Sequence, residues 1–453
     1  MQLVRQLAQF IAATNYESIP QETVDVAKER LLDTLGAMYA GCSGWDFTRQ
    51  LYEACSQLGT GEARILGIAG RGFPYATAAL ANSALAHSVE LDDGHRNAGC
   101  HAGAAVVPTA LMIGAAQRST PREMIAAIVL GYDIEYRIAT NVTPALIYKS
   151  FHPSTACGMF GAMAAAGKLL GLDEEQLANG LGLAGAFTGG LKQTTKSAPQ
   201  VKGIMVGNSA AGGVNAAFLA RSGLTGPLEI LEGPAGIFKV MSENVDESKV
   251  VSDFGRHFLI HDTYTKLYPT CRHTHPAIEG SLELMAEGVR TEDIETVEIG
   301  GYRICYETTG KIYEPRNAGE AKFSTPFCVS VALREGCMGT SHLAEEFLRD
   351  PQLLEMARRV KVVIDPDIER MFPKIRGSRI TFNLKNGESK TTSVFDLKGS
   401  PAKPASWPDL TSKFRANAAG SISKGAIESC IALIEGFDKT DTADELFQLI
   451  FPK

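Results

Sequence analysis

Apolar residues recur at three- and four-residue steps through most of the first 140 positions, and many of them are Ala or Gly. Val24, Ala27, Leu31, Leu35 and Met38 form one helical face, with Pro20 near the first helical position and Gly41 just past the end. Residues 76–90, 104–116 and 121–139 read the same way. Small side chains let helix backbones approach closely, so these stretches predict a large bundle. Asp173-Glu174-Glu175 places acid at the positive end of a further helix running through Leu177, Leu181 and Ala184. Gly180-Leu181-Gly182-Leu183-Ala184-Gly185 spells G-x-G-x-x-G but lies inside that helical pattern. A dinucleotide fingerprint needs a strand before it, so nucleotide binding is not expected there.

Near residue 260 the pattern changes. Thr296-Val297-Glu298-Ile299 and Lys361-Val362-Val363-Ile364 read as short strands. Ile380-Thr381-Phe382-Asn383-Leu384 turns through Asn386-Gly387 into Lys390-Thr391-Thr392-Ser393-Val394, a hairpin signal. Phe327-Cys328-Val329-Ser330-Val331-Ala332-Leu333 reads as a buried helix, and after Lys403-Pro404 helical spacing returns at Ile422, Ile427, Ile431 and Ile434. A chain of 453 residues exceeds one ordinary core. The expectation is a mainly α protein with an inserted α+β domain: a helical domain from residues 1–260 and 404–453, and a smaller α+β lid from 261–403.

Hydrophobic residues at 45% and charged residues at 21% exclude a disordered chain and a membrane protein. A net charge of -7 lacks the basic footprint that nucleic acid requires. The nine cysteines are scattered without a C-x-x-C pair, as expected of buried thiols in a reducing compartment. The N-terminus reads straight into an amphipathic helix without a secretory layout, which predicts a cytoplasmic protein.

Four segments carry chemistry. In Lys266-Leu267-Tyr268-Pro269-Thr270-Cys271-Arg272-His273-Thr274-His275 a cation-rich turn opens a helix, an arrangement suited to carboxylates or phosphates. The stretch from His87 to His101 holds Glu90, Asp92 and Asp93 with His95 and Arg96. Its spacing matches no H-E-x-x-H or calcium-loop template, so no metal is expected and His101 suits acid–base work. Phe151-His152-Pro153-Ser154-Thr155 precedes an Ala- and Gly-rich helix that Ser154 or Thr155 can cap, and Lys202 enters a helix of small residues. A lone Lys so placed is more often solvated than catalytic.

In this order, and together with Glu320-Ala321-Lys322-Phe323-Ser324, these segments resemble the MmgE/PrpD family over nearly the whole chain. Members of that family dehydrate 2-methylcitrate, decarboxylate cis-aconitate or epimerise iminodisuccinate. The resemblance implies a helical domain with an α+β lid, a homodimer, and an active site at the domain junction with no metal or organic cofactor. It implies that Lys202, Lys266, His101 and His152 are pocket residues and that Asp92 and Asp93 match the family's paired carboxylates. Three departures stand out. Glu90-Leu91-Asp92-Asp93-Gly94 replaces Asp-Phe-Asp-Asp-Thr; His101-Ala102 replaces His-Pro after a loop one residue longer, which adds Arg96; and Met205 and Cys271 stand where the decarboxylase looks to have His.

These readings together predict an enzyme that abstracts a proton α to a carboxylate of a small di- or tricarboxylate. The added charge must be met by fixed cations and donors. His101, Lys202, Lys266, His152 and Asp93 are the expected catalytic residues. Glu90, Asp92, Arg96, Cys271, Arg272, His273 and His275 are the expected substrate contacts. The base is His101 or a Lys whose pKa neighbouring cations lower. Dehydration of a 2-methylcitrate-type acid is the leading expectation. Epimerisation of an iminodisuccinate-like acid and cis-aconitate-type decarboxylation are the alternatives, and a catalytically silent carboxylate-binding dimer is the non-enzymatic one. Lys266 is expected to contribute little to either core.

Overall fold

The structure is a computed structural model that describes residues 2–43, 46–197 and 202–452. The chain divides into two compact units. Met1–Ser88, Asp92–Thr265 and Ser406–Lys453 form the first, and Val89–Leu91 with Lys266–Ala405 the second. The protein is mainly helical, with a small α+β part and two small sheets.

The first unit contains α1 (Gln21–Cys42), α2 (Tyr75–Ser88), α3 (Ala102–Gln117), α4 (Pro121–Val142), α5 (Pro153–Leu169), α6 (Glu174–Ala184) and α7 (Lys202–Arg221). α5 is buried without interruption from Pro153 to Gly167 and is packed by α3, α4 and α7. A helix surrounded in this way can be apolar on every side, which is why its Ala- and Gly-rich sequence shows no polar face. α4 starts where Thr120 and Glu123 form a capping box, the Thr120 hydroxyl accepting from the Glu123 amide and the Glu123 carboxylate from the Thr120 amide. The G-x-G-x-x-G letters fall within and just beyond α6, as the helical reading requires.

Two boundaries differ from the sequence expectation. Gly41 lies inside α1 rather than past its end, because a Cβ there would come within 2.3 Å of the Leu85 carbonyl oxygen. Glycine permits close approach of α1 and α2 at that position and is not a stop signal. α2 ends at Ser88 rather than at Glu90, whose φ of 55° is left-handed. A two-residue antiparallel pair, β1 (Gly94–His95) with β2 (Thr263–Tyr264), closes the loop that follows α2.

The second unit is built on a sheet of order β4-β3-β5-β6: β3 (Ile294–Gly301), β4 (Val360–Ile364), β5 (Ser378–Leu384) and β6 (Ser389–Val394). β3 pairs parallel with β4 and antiparallel with β5, and β5–β6 is the hairpin signalled by Asn386-Gly387, with Gly387 at φ 87°. Ser378, Ile380, Phe382 and Leu384 alternate inward along β5 and face helices α8 (His275–Ala286) and α9 (Thr325–Glu335). α10 (Pro351–Arg359) leads into β4. The chain then returns to the first unit with α11 (Trp407–Ala418), packed on α1.

Candidate functional site

In the helical unit the sequence from the end of α2 to the start of α3 folds back on itself. His95 N donates to the Cys100 carbonyl at 2.9 Å, and the His95 ring accepts from the Asn97 and Ala98 amides at 3.2 and 3.1 Å. His95 is therefore a loop-holding residue. Arg96 lies half-buried on the same turn. The fold brings His87, on the last turn of α2, against Asp92: His87 Nδ1 lies 2.6 Å from Asp92 Oδ2, and both side chains are fully buried. His101 Nδ1 lies 2.5 Å from the Asp93 carbonyl oxygen and 3.4 Å from Asp92 Oδ2. A carbonyl oxygen can only accept, so His101 carries its proton on Nδ1 and its basic lone pair on Nε2. Asp92 thus orients the His87 imidazole by its Nδ1 atom, the role a carboxylate plays in hydrolytic triads, while the Asp93 carbonyl orients that of His101.

His152 supplies a third imidazole as the N-cap of α5. Ring centroids are 5.0 Å apart for His87 and His101 and 6.3 Å for His87 and His152. Ser154, on the first turn of α5, accepts from the His101 amide at 3.1 Å. Lys202 opens α7 and is 9% exposed. A Cβ on Gly203 would meet the Ala84 carbonyl at 2.7 Å, and one on Gly207 the Leu80 carbonyl at 2.3 Å. α7 therefore runs antiparallel to α2 in backbone contact, which sets Lys202 level with the turn that carries His87.

Asp93 lies behind this cluster. It is 0% exposed, with Oδ1 accepting from the Gly103 amide at 3.2 Å and Oδ2 from the Tyr132 hydroxyl at 2.6 Å. Burial pushes its carboxyl up to about 7, offset in part by the Arg30 guanidinium and the Tyr132 hydroxyl. Its backbone oxygen orients His101 while its side chain ties the loop to α3 and α4. On α4 itself Glu135 is also 0% exposed, and burial pushes it up to about 8.

The folded state therefore holds protons on Asp93 and Glu135 that the unfolded chain has released. Stability is then lost as pH rises from the ordinary carboxylate range to about 8. Glu135→Gln should flatten this fall in a pH series of melting curves and raise stability near the top of that interval, by on the order of 1–3 kcal/mol. A melting temperature with unchanged pH dependence in the variant would refute the assignment.

In the α+β unit, Lys266 is not a peripheral cation. It is 1% exposed, and its Nζ lies 3.1 Å from Oε2 of Glu90, itself 6% exposed. The expectation that Lys266 contributes little to either core is corrected: a buried ion pair is strongly coupled to folding. The two histidines of the turn are committed to protein partners. His275 Nδ1 faces Arg272 Nη1 at 3.1 Å and its Nε2 faces the Thr270 carbonyl at 3.3 Å, which requires a neutral ring with the proton on Nε2. His273 Nδ1 is hydrogen-bonded to the Tyr302 hydroxyl, and burial, aided by the Arg376 charge, pulls the ring down to about 3. Both are built into the turn as neutral groups, leaving Lys266 and Arg272 as its cations. Cys271 is half-buried, and its amide donates to the Lys322 carbonyl at 2.8 Å.

Sequence reading passed over Tyr132 and the pairing of His87 with Asp92, and it offered Ser154 as a helix cap, whereas the N-cap is His152 and Ser154 accepts from the His101 amide. Tyr132 left one signal, an aromatic in an apolar helix beside Asp133, Glu135 and Arg137. His87, Asp92 and His101 bring potential ligand atoms within 4.8 Å of one another. Each of the two histidines holds its Nδ1 atom against an oxygen, the carboxylate of Asp92 for His87 and the Asp93 carbonyl for His101.

Residues 5–248 match the MmgE/PrpD N-terminal domain, and residues 268–437 match the MmgE/PrpD C-terminal domain. The chain belongs to the MmgE/PrpD family. Among curated relatives, cis-aconitate decarboxylase of Homo sapiens is 26% identical over 450 residues, covering 95% of this chain and 91% of the relative. The enzyme of that name from Mus musculus is 26% identical over 435 residues, covering 94% and 88%. The one from Aspergillus terreus is 23% identical over 457 residues, covering 96% and 93%. Both halves of the MmgE/PrpD pattern are thus present in one chain. Among the described residues no helix is long and apolar enough to cross a membrane.

Proposed function

We propose that this chain is a lyase that abstracts a proton α to a carboxylate of a small polycarboxylate, with dehydration of a 2-methylcitrate-type acid as its reaction and no metal or organic cofactor. The observation that carries the reading is the commitment of His101 Nδ1 to the Asp93 carbonyl, which fixes Nε2 as the basic nitrogen. His101 Nε2 takes the α-proton, and Lys202, Lys266 and Arg272 meet the charge that builds on the carboxylate. A second imidazole, His87 or His152, then protonates the departing β-hydroxyl, which leaves as water while the carbon–carbon double bond forms. Dehydration needs both a base and an acid, and the paired rings suit it.

A second reading is decarboxylation of cis-aconitate, favoured by the activity for which the curated relatives are named. It needs a proton donor to carbon and no leaving hydroxyl. Proton NMR of the enzyme with 2-methylcitrate, citrate and cis-aconitate in deuterated buffer separates the two: dehydration consumes the hydroxy acid, and decarboxylation consumes cis-aconitate. No turnover and no α-proton exchange on any of them would support the silent carboxylate-binding reading instead. Exhaustive chelation should leave turnover within about twofold, since proton transfer and fixed cations supply the catalysis. Activity lost on chelation and regained with one divalent ion refutes the metal-independent mechanism.

A further inference from the structure

The helical unit contains a cavity of 340 Å³ whose walls include Leu80 of α2, Thr155 of α5, Phe187, and Ile204, Met205 and Asn208 of α7. It adjoins the histidine cluster through shared backbone. The Thr155 hydroxyl donates to the His152 carbonyl at 2.8 Å, and the His152 amide donates to the carbonyl of Gly190, another wall residue, at 2.9 Å. Gly190 has φ 93°, and a Cβ there would come within 1.9 Å of the Thr155 hydroxyl, so only glycine closes this side. On the other side Lys202 and Met205 are three residues apart on one face of α7. The cavity therefore lies against the backbone that holds His152 and reaches the exposed Asn208.

The described lining holds no charged side chain, and Leu80, Phe187, Ile204 and Met205 give it an apolar character. A carboxylate would lose its hydration there without a cationic partner. The volume lies within the roughly 300–1,000 Å³ range of ligand pockets and exceeds what a single methyl group fills. We propose that this cavity is a subsite for an alkyl substituent of the substrate, so that the preferred acid is a polycarboxylate bearing a chain of several carbons. The inference rests on the reading above for the carboxylate end. It adds that selectivity resides in the wall formed by α2 and α7.

Calorimetric titration of the full chain with citrate and a series of 2-alkylcitrates, from methyl to hexyl, tests it. Each added methylene should tighten binding by about threefold to fourfold until the cavity is filled. Ile204→Phe, which fills the cavity, should reduce the ratio of butyl-acid to citrate affinity at least tenfold. Asn208→Trp at the exposed rim should shorten the chain length at which the gain stops, in a variant whose folding is not at issue. Affinities that stay flat along the series, with turnover of the parent acid intact, overturn the subsite and leave the reaction standing. Rising affinity without turnover overturns the reaction and keeps the subsite. No binding by any member overturns both. A change in oligomeric state on Ile204→Phe, with the affinity ratio unmoved, identifies the cavity as a contact between copies of the chain and also overturns the proposal.

Discussion

His101→Asn should lower turnover by roughly a hundredfold to ten-thousandfold, the range that loss of a positioned general base produces. Asparagine is the informative replacement. Its amide nitrogen occupies nearly the place of Nδ1 and can still donate to the Asp93 carbonyl, now 2.5 Å from the ring nitrogen, so the loop keeps its anchor. It also suits the N-cap position that His101 occupies before α3. What it lacks is Nε2. The variant should melt close to the wild type while losing both turnover and exchange of the α-proton with deuterated solvent. Should it keep activity within about threefold, a barrier change under 1 kcal/mol, the base would have to be sought elsewhere, with Lys202 next in order. Ser154→Ala provides a contrast. It removes only the acceptor of the His101 amide, so it should act through position and cost far less, about tenfold or below.

Much of this architecture was legible because it rests on local rules. The spacing of Val24, Ala27, Leu31 and Leu35 specifies a helix wherever it packs, and Asn386-Gly387 specifies its hairpin from the turn alone. Features that depend on distant chain were not legible. Gly41 reads as a helix end by composition, yet the nearby backbone of Leu85 makes it a contact point within the helix. β1 and β2 are each two residues long, too short for any periodicity, and they exist because Gly94 meets Tyr264 across the fold. The site divides in the same way. Residue types and order singled out His101, His152, Lys202 and Lys266 as candidates, but could not show that the histidines at 273 and 275 are held as neutral rings, since that depends on Tyr302 and the Thr270 carbonyl. Nor could sequence show that Asp93 faces Tyr132, on another helix.

Lys266→Met and Glu90→Gln should each destabilise the protein by about 3–5 kcal/mol, because either change leaves the other member of a buried pair without its counter-charge. The double variant should regain most of that stability, since both charges are then gone and the two neutral stems can pack together. Turnover should not follow stability. If Lys266 supplies a preorganised cation to the developing enolate, the double variant stays at least about a hundredfold below wild type even though it is folded. Glu90 adds a backbone signature. With φ at 55° in a residue other than glycine, it carries on the order of 1–2 kcal/mol of conformational cost that the pair offsets. Glu90→Gly relieves that cost and Glu90→Gln does not, so in the Lys266→Met background the glycine variant should melt higher than the glutamine one. Melting curves and initial rates on the wild type, the two single variants and the two double variants decide the matter. A double variant as unstable as the singles denies the coupling, and one with activity within about tenfold of wild type removes Lys266 from the chemistry.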